Sequence, residues 1–371
     1  MDSLLYLIWN VDPEIFSFGE RSIRWYGLLF ASGFLIGQQI MVRIFKKEVS
    51  KDEKHQKQAE KDVETLTIYL VVATIIGARL GHVLFYEPDK YLANPLDILK
   101  IWEGGLASHG AAIAIFVAMW LFARKRSKDW TFLRVADRIA IVVAFTGCLI
   151  RFGNMMNSEI YGNPTNSNYG VIFTQTSTNA ILSSTSPVID VSYEKGEKID
   201  SGQFVPVTTV IEFEAGLEEE QKKVFIERNM ANMFTGQYQY LSDHLTFDYG
   251  VAIKYEFNMD IARIQMLGVP RHPTQLYESF TSILLFLILL YLWNLRREKT
   301  PPGFLFGIFL IYLFTFRFIH EFFKVNQVNF EDQIPLNMGQ WLSIPMVIAG
   351  IIILYRSSNH GTGSKPLSPQ G

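Results

Sequence analysis

Arginine, histidine, asparagine, glutamate and tyrosine recur near one end of the apolar stretches of this chain. Arg79 and His82 are three residues apart, so a helix presents them on one face. His109 lies between Ser108 and Gly110, and Arg151, Asn154, Asn157 and Glu159 crowd the end of another stretch. His272 and Gln275 come just before Tyr277 and Glu278, Arg317 and Glu321 are four apart and able to pair, and Tyr26 follows Trp25. Several arginines without a metal cluster suit recognition of a phosphate or carboxylate. A histidine that titrates near neutrality can take a proton from a nucleophile. The chain has no nucleophile elbow, no Walker loop and no His-Glu-x-x-His pattern, so the nucleophile would come from a second substrate. The single Cys148 excludes a disulfide within the chain and a metal site built on thiolates, and it reads as a small packing residue. No metal and no cofactor is expected.

Each residue also has a plainer role when taken singly. Arg79 would snorkel to lipid phosphate, Tyr26 beside Trp25 would be an interfacial aromatic, and Arg317 with Glu321 would be a structural ion pair. Asn154 and Asn157 would tie off a helix end. The elements that carry these residues decide the matter. The chain has 371 residues, 49% of them hydrophobic, and the apolar residues come in blocks. Seven runs, at about 25–45, 66–86, 107–122, 136–155, 276–295, 304–323 and 338–355, approach the roughly 20 residues that cross a bilayer core. Lys and Arg crowd the loops after the first, third, fifth and seventh runs and are sparse in the others, which puts the N-terminus outside and the C-terminus in the cytoplasm. On that topology the polar ends share one depth, on the outer side, and no equivalent polar set lies in the inner halves. Charged groups in hydrocarbon are costly and so mark function.

The expected fold is therefore an all-α polytopic membrane protein of about seven transmembrane helices, with a small extracytoplasmic α+β insert. Residues 1–168 hold spans one to four, 169–265 the insert, 266–357 spans five to seven, and 358–371 a disordered cytoplasmic tail. In the insert, 188–193 and 205–213 alternate like strands and 217–228 reads as a surface helix. Residues 1–18 are apolar but short and lack a basic leader, so they read as an interfacial helix rather than a cleaved signal. A net charge of −2 gives no reason to expect a nucleic-acid partner.

The segment Arg151-Phe152-Gly153-Asn154-Met155-Met156-Asn157-Ser158-Glu159-Ile160-Tyr161-Gly162 resembles the signature of the bacterial prolipoprotein diacylglyceryl transferases. The stretches Ile23-Arg24-Trp25-Tyr26-Gly27, Gly77-Ala78-Arg79-Leu80-Gly81, Gly105-Leu106-Ala107-Ser108-His109-Gly110, Arg271-His272-Pro273-Thr274-Gln275-Leu276-Tyr277-Glu278, Arg317-Phe318-Ile319-His320-Glu321 and Met338-Gly339-Gln340 resemble that family too, in its order. The resemblance implies a multi-pass enzyme of the bacterial inner membrane whose site faces the outer leaflet. It would move the diacylglyceryl group of phosphatidylglycerol onto the lipobox cysteine of prolipoprotein signal peptides, forming a thioether and releasing glycerol phosphate. Membrane lipids and these peptides are its implied partners. By the same resemblance His109 is essential, and Arg151 and Arg317 hold the lipid phosphate. Tyr26, Arg79, Asn154, Asn157, Glu159, Gly162, His272, Gln275 and Glu321 complete the substrate-binding set. Whether His109 deprotonates the thiol or only positions the lipid stays open at this level.

The chain departs from the family pattern at Ala111, Ser158 and Tyr161, where Gly, Gly and Trp are common. Leu313 stands where a tyrosine is expected, with Tyr312 one position off. The rival reading, a transporter for an anionic solute, would share the arginines but would need an inward path or an internal repeat.

Overall fold

The computed structural model describes residues 5–19, 21–101, 104–126, 130–183, 185–196, 203–235, 239–248, 250–325 and 335–359. Strands β1 (Leu5–Trp9), β2 (Glu14–Phe18) and β3 (Arg21–Arg24) come first. Helices α1 (Trp25–Glu48), α2 (Glu53–Phe85), α3 (Pro88–Ala93), α4 (Ser108–Lys125) and α5 (Phe132–Met156) follow. Next come β4 (Tyr169–Phe173), α6 (Gln175–Ile181), β5 (Val188–Lys195), β6 (Val205–Phe213), α7 (Glu219–Val224), α8 (Ala231–Thr235) and α9 (Gln239–Ser242). Strands β7 (Leu245–Thr246), β8 (Tyr255–Asn258) and β9 (Ile261–Gly268) precede helices α10 (Thr274–Arg296), α11 (Phe304–His320) and α12 (Met338–Asn359).

The chain is mostly helical, and among the described residues six helices are long and apolar enough to cross a membrane: α1, α2, α5, α10, α11 and α12. The expected third span is also a helix, but α4 has only 18 residues, starts on Ser108-His109 and ends on Arg124-Lys125, and is not one of the six. Contacts divide the chain into two compact units. One comprises Met1–Gly27, Arg151–Tyr277 and Ile319–Pro335, the other Leu28–Ile150, Glu278–Phe318 and Leu336–Gly371.

The second unit is the helical one. Its core gathers Phe45, Leu66, Phe122, Trp130, Ile139, Leu285, Leu289 and Leu305, with the Phe45 and Trp130 rings stacked 3.8 Å apart. Helices α2 and α4 meet through small residues. A Cβ built on Gly77 would lie 2.4 Å from the Ala114 Cβ and 2.6 Å from the Gly110 carbonyl oxygen. One built on Gly110 would lie 2.2 Å from the Gly77 carbonyl oxygen. Gly77 and Gly81 on one helix face Gly110 and Ala114 on the other, the spacing that lets membrane helices approach backbone to backbone.

The same unit holds a buried polar set that the sequence does not show, at the end of α1 and the start of α5. Glu48 at the end of α1, with Asp137 and Arg138 in the second turn of α5, is buried. Arg138 Nη2 lies 3.0 Å from the Glu48 carboxylate, and Trp293 Nε1 donates to the same carboxylate at 2.5 Å. Asp137 accepts from the Gly303 and Phe306 amides, each at 2.8 Å, and so caps the start of α11. Glu48 falls in the basic loop after the first apolar run in the sequence, whereas Asp137 and Arg138 fall at the start of the fourth. The fold instead spends them on one another and on a helix end.

The first unit holds the β-structure. A five-stranded sheet runs β5-β6-β9-β7, with β8 also paired to β9. Its core includes Ile211, Phe213, Phe225, Ile226, Phe234, Leu245 and Ile264. β5 and β6 cover the two stretches read as strands. The segment read as a surface helix is α7 continued by a π-helical stretch Phe225–Met230, whose Phe225, Ile226 and Met230 are buried. It covers the sheet rather than standing free, because three large apolar groups fall on one side of it. The N-terminal segment is likewise not the interfacial helix expected. β1 pairs in parallel with β4, and β2 pairs with β3 in a hairpin. In β1 the Tyr6 ring is buried between exposed Leu5 and Leu7, the period-two alternation of a strand, and its hydroxyl donates to the Pro206 carbonyl. A run this short does not distinguish helix from strand by periodicity alone. Of the expected cytoplasmic tail, residues 360–371 lie outside the described residues, and 358–359 are the last residues of α12.

Candidate functional site

In the first unit, the end of α5 and the loop after it form a self-bonded turn. Arg151 Nη1 donates to Asn154 Oδ1 at 3.3 Å. Asn154 Nδ2 donates to Glu159 Oε1 at 2.8 Å, and Asn157 Nδ2 reaches the same oxygen at 3.3 Å. The Glu159 amide returns to the Asn154 carbonyl at 3.1 Å. To close this turn Ser158 and Ile160 adopt φ of 54° and 57°. For a β-branched residue such as Ile160 that conformation is strained, and strain of this kind persists only where surrounding contacts enforce it.

The start of α10 supplies those contacts. Gln275 Nε2 donates to the Glu159 carbonyl at 2.7 Å and Thr274 Oγ1 to the Ile160 carbonyl at 2.9 Å. The Gly162 amide donates to the His272 carbonyl at 2.9 Å. Gly162 has no room for a side chain, since a Cβ there would lie 2.5 Å from the Phe323 carbonyl oxygen and 2.8 Å from the His272 Cβ. Gly153 faces Tyr26, with 3.1 Å left between an added Cβ and the Tyr26 Cα. Thus Tyr26, Arg151, Asn154, Asn157, Glu159, Gly162, His272 and Gln275 come together in one unit. Glu321 belongs to it too, 3.5 Å from Lys324 Nζ, while the Lys324 carbonyl accepts from Asn163 Nδ2 at 2.9 Å. Burial favours the neutral form of His272, whose Nδ1 lies 3.1 Å from the Tyr277 hydroxyl. Three buried atoms on this framework, Asn157 Oδ1, Ser158 Oγ and Gln275 Oε1, have no partner among the described residues. Orphans of this kind call for a water or a ligand.

Arg79, His109 and Arg317 belong to the second unit. Arg79 is buried, and its guanidinium is spent on backbone carbonyls. Nε donates to Ile98 at 2.8 Å, Nη1 to Gly104 at 2.7 Å and Nη2 to Asp97 at 2.5 Å. Its carbon also lies 4.9 Å from the Tyr91 ring centroid. His82 Nε2 lies 3.2 Å from Glu87 Oε2. His109 stands exposed in the first turn of α4, with its ring against Phe85 and Tyr86. The Gly77–Gly110 contact fixes its backbone. Arg317 is exposed near the end of α11. Tyr312 lies beside the helical core with its hydroxyl buried and unpartnered among the described residues.

Sequence reasoning gave no role to Arg271, Asn163 or Lys324, although Arg271 opens a quoted motif. Arg271 donates to the Gly162 carbonyl and Asn163 to the Lys324 carbonyl, and a bond to a carbonyl leaves no pairing pattern in a sequence. Among the described residues no group of three or more His, Cys, Asp or Glu is placed to hold a metal ion.

A sequence profile of the prolipoprotein diacylglyceryl transferase family matches residues 13–356. The phosphatidylglycerol–prolipoprotein diacylglyceryl transferase of Tolumonas auensis is 36% identical over 352 residues, 95% of this chain and 98% of the relative. Its counterpart in Chloroherpeton thalassium is 33% identical over 360 residues, 96% of each chain. That of Porphyromonas gingivalis is 32% identical over 358 residues, 95% of each. With the signature turn folded around Arg151 and the match running almost end to end, the chain belongs to the prolipoprotein diacylglyceryl transferase family.

Proposed function

We propose that this chain transfers the diacylglyceryl group of phosphatidylglycerol to the lipobox cysteine of prolipoprotein signal peptides. The cysteine sulfur attacks the glyceryl carbon bonded to the phosphate oxygen. A carbon–sulfur bond forms, the carbon–oxygen bond breaks, and glycerol phosphate leaves with the electron pair. The carrying observation is the Arg151–Asn154–Glu159 turn, which fixes an arginine beside paired amides on a strained, fully braced loop. Arg151 and Arg317 would hold the phosphate and stabilise charge on the leaving group. A free thiol has a pKa near 8.5, so a base or a positive field must raise the thiolate fraction, and His109 is the group we assign to that step. Tyr26, Asn154, Asn157, Glu159, Gly162, His272, Gln275 and Glu321 shape the pocket. Arg79, with its donors spent on carbonyls, acts by holding the backbone at Asp97, Ile98 and Gly104.

The chain would cross the bacterial inner membrane seven times, with α4 as the third span, the N-terminus outside and the site open to the outer leaflet. Residues 169–265 would form an extracytoplasmic head. The transporter reading has no observation in its favour. The inner-end charges Glu48, Asp137 and Arg138 are closed on one another and offer no path.

Two measurements test this reading. His109→Gln and Arg151→Ala should each abolish transfer while the protein stays folded in the membrane, and full activity in either would refute the site. In a Cys148→Ser background, a cysteine at exposed Met259 should react with an impermeant maleimide from outside, and one at Ser358 only after permeabilisation. The reverse pattern would overturn the orientation.

A further inference from the structure

The contacts of Arg271 give the β-rich insert a part in building the site. Arg271 is buried. Its Nε donates to the Asp243 carbonyl at 2.9 Å, and Nη2 lies 3.6 Å from the Asp243 carboxylate. Nη1 donates to the Gly162 carbonyl at 3.2 Å. One guanidinium thus joins the segment between α9 and β7 to the last residue of the signature turn. Its plane is confined on the other side by rings. The guanidinium carbon is 5.1 Å from the Tyr161 ring centroid. Tyr161 stacks on Phe173 at 5.5 Å and meets His244 edge-on at 4.6 Å. His244 is itself buried and bonded through its backbone, its amide to the Leu241 carbonyl and its carbonyl to the Val269 amide. The Arg271 backbone pairs with Val171 in both directions at 2.9 Å. The arginine therefore has one conformation, and so does the carbonyl it grips. The Gly162 amide is fixed by the His272 carbonyl, so the arginine completes the constraint on that residue.

We propose that Arg271 is a positioning residue through which the insert, by its Asp243-His244 segment, holds the signature turn in its working shape. The inference rests on the transferase reading. If that reading fails, the unaltered protein makes no thioether. If only this inference fails, the unaltered protein and the Arg271 variants are both active.

The test uses purified full chain, phosphatidylglycerol vesicles and a lipobox peptide, with kcat and KM measured separately for each variant. A displacement near 1 Å is enough to cost about 100-fold in rate, so Arg271→Ala should lower kcat by about that factor, with KM for either substrate moving by less than about 3-fold. Arg271→Lys, which keeps the charge but loses the fork, should lie between them, and added guanidinium ion should restore part of the Arg271→Ala rate. His244→Ala, which opens the ring box, should lower kcat by about 10-fold, and the double variant should be no worse than Arg271→Ala alone, because both act through one device. Three results would overturn the proposal. These are an Arg271→Ala kcat within about 3-fold of the unaltered chain, losses that multiply in the double variant, or a fall in kcat that tracks a fall in thermal midpoint and gains nothing from guanidinium.

Discussion

One methyl group at Gly110 should disable the enzyme from inside the helix pair. The Cβ of Gly110→Ala would sit 2.2 Å from the Gly77 carbonyl oxygen, 2.7 Å from the Gly81 Cα and 3.0 Å from the Gly81 amide nitrogen. All three are backbone atoms, so no side chain can swing away. Non-bonded carbon contacts settle at about 3.5–4.0 Å, so α2 and α4 must part by roughly 1 Å. Overpacking of that kind costs about 1–3 kcal/mol, which exceeds or matches the gain of about 1 kcal/mol from replacing glycine by alanine in a helix. The neighbouring residue is His109, and Arg79 stands between Gly77 and Gly81. A shift of about 1 Å there should lower the transfer rate by about 100-fold. The assay pairs thermal unfolding in detergent with transfer to a lipobox peptide. Gly27→Ala is the stability control, since an added Cβ there meets nothing within 4 Å; it should leave the midpoint unchanged or raise it. A Gly110→Ala protein with the midpoint and rate of the unaltered chain would refute the packing argument.

Other outcomes follow from the same contacts. Burial holds His244 neutral, with its pKa pushed down to about 3. Between that value and the ordinary value near 6.5 the unfolded chain binds the extra proton, so the first unit should lose stability as pH falls through this window, by up to about 1.4 kcal/mol per unit. His244→Phe, which keeps a ring in the box, should flatten that dependence in near-ultraviolet circular dichroism melts, and parallel pH slopes would contradict it. Arg79→Lys should cost about 2–4 kcal/mol through lost charged hydrogen bonds to carbonyls and should expose the backbone at Asp97 and Ile98 to protease; unchanged cleavage would count against the clamp. Glu48→Gln should cost about 3–5 kcal/mol by taking from buried Arg138 the nearer of its two carboxylates, at 3.0 Å against 3.4 Å for Asp137, whereas Glu48→Gln with Arg138→Met should recover much of it. Equal midpoints for the single and double variants would refute that pairing. Gly162→Ala should abolish transfer, because the Phe323 carbonyl and the His272 Cβ occupy the space, and an active variant would show that the turn is looser than its contacts imply.

Much of this was legible before any coordinates. Long apolar runs follow from the cost of unsatisfied backbone in lipid, so the six helices long and apolar enough to cross a membrane declare themselves by length and composition. The Arg151–Glu159 cluster could be read because its side chains bond one another at short sequence separation. What could not be read depends on backbone partners far along the chain. Arg79 and Arg271 are alike in sequence, each an arginine near a span end, yet both are consumed by carbonyls that no spacing reveals. The β1 strand was hidden because its partner, β4, lies more than 150 residues away. The pairing of Glu48 with Arg138 and Trp293, and of Asp137 with the start of α11, was hidden because the partners come from distant segments.

The proposed reaction is the displacement of glycerol phosphate from phosphatidylglycerol by a thiol, with Arg151 and His109 each required. The most direct measurement incubates the purified chain with phosphatidylglycerol labelled in its acyl groups and a lipobox peptide, alongside the same peptide with Cys→Ser. Label is expected on the cysteine peptide alone, in a bond that resists hydroxylamine, with none when Arg151→Ala or His109→Gln protein replaces the unaltered chain. Label on the serine peptide, or undiminished label with either variant, would contradict it.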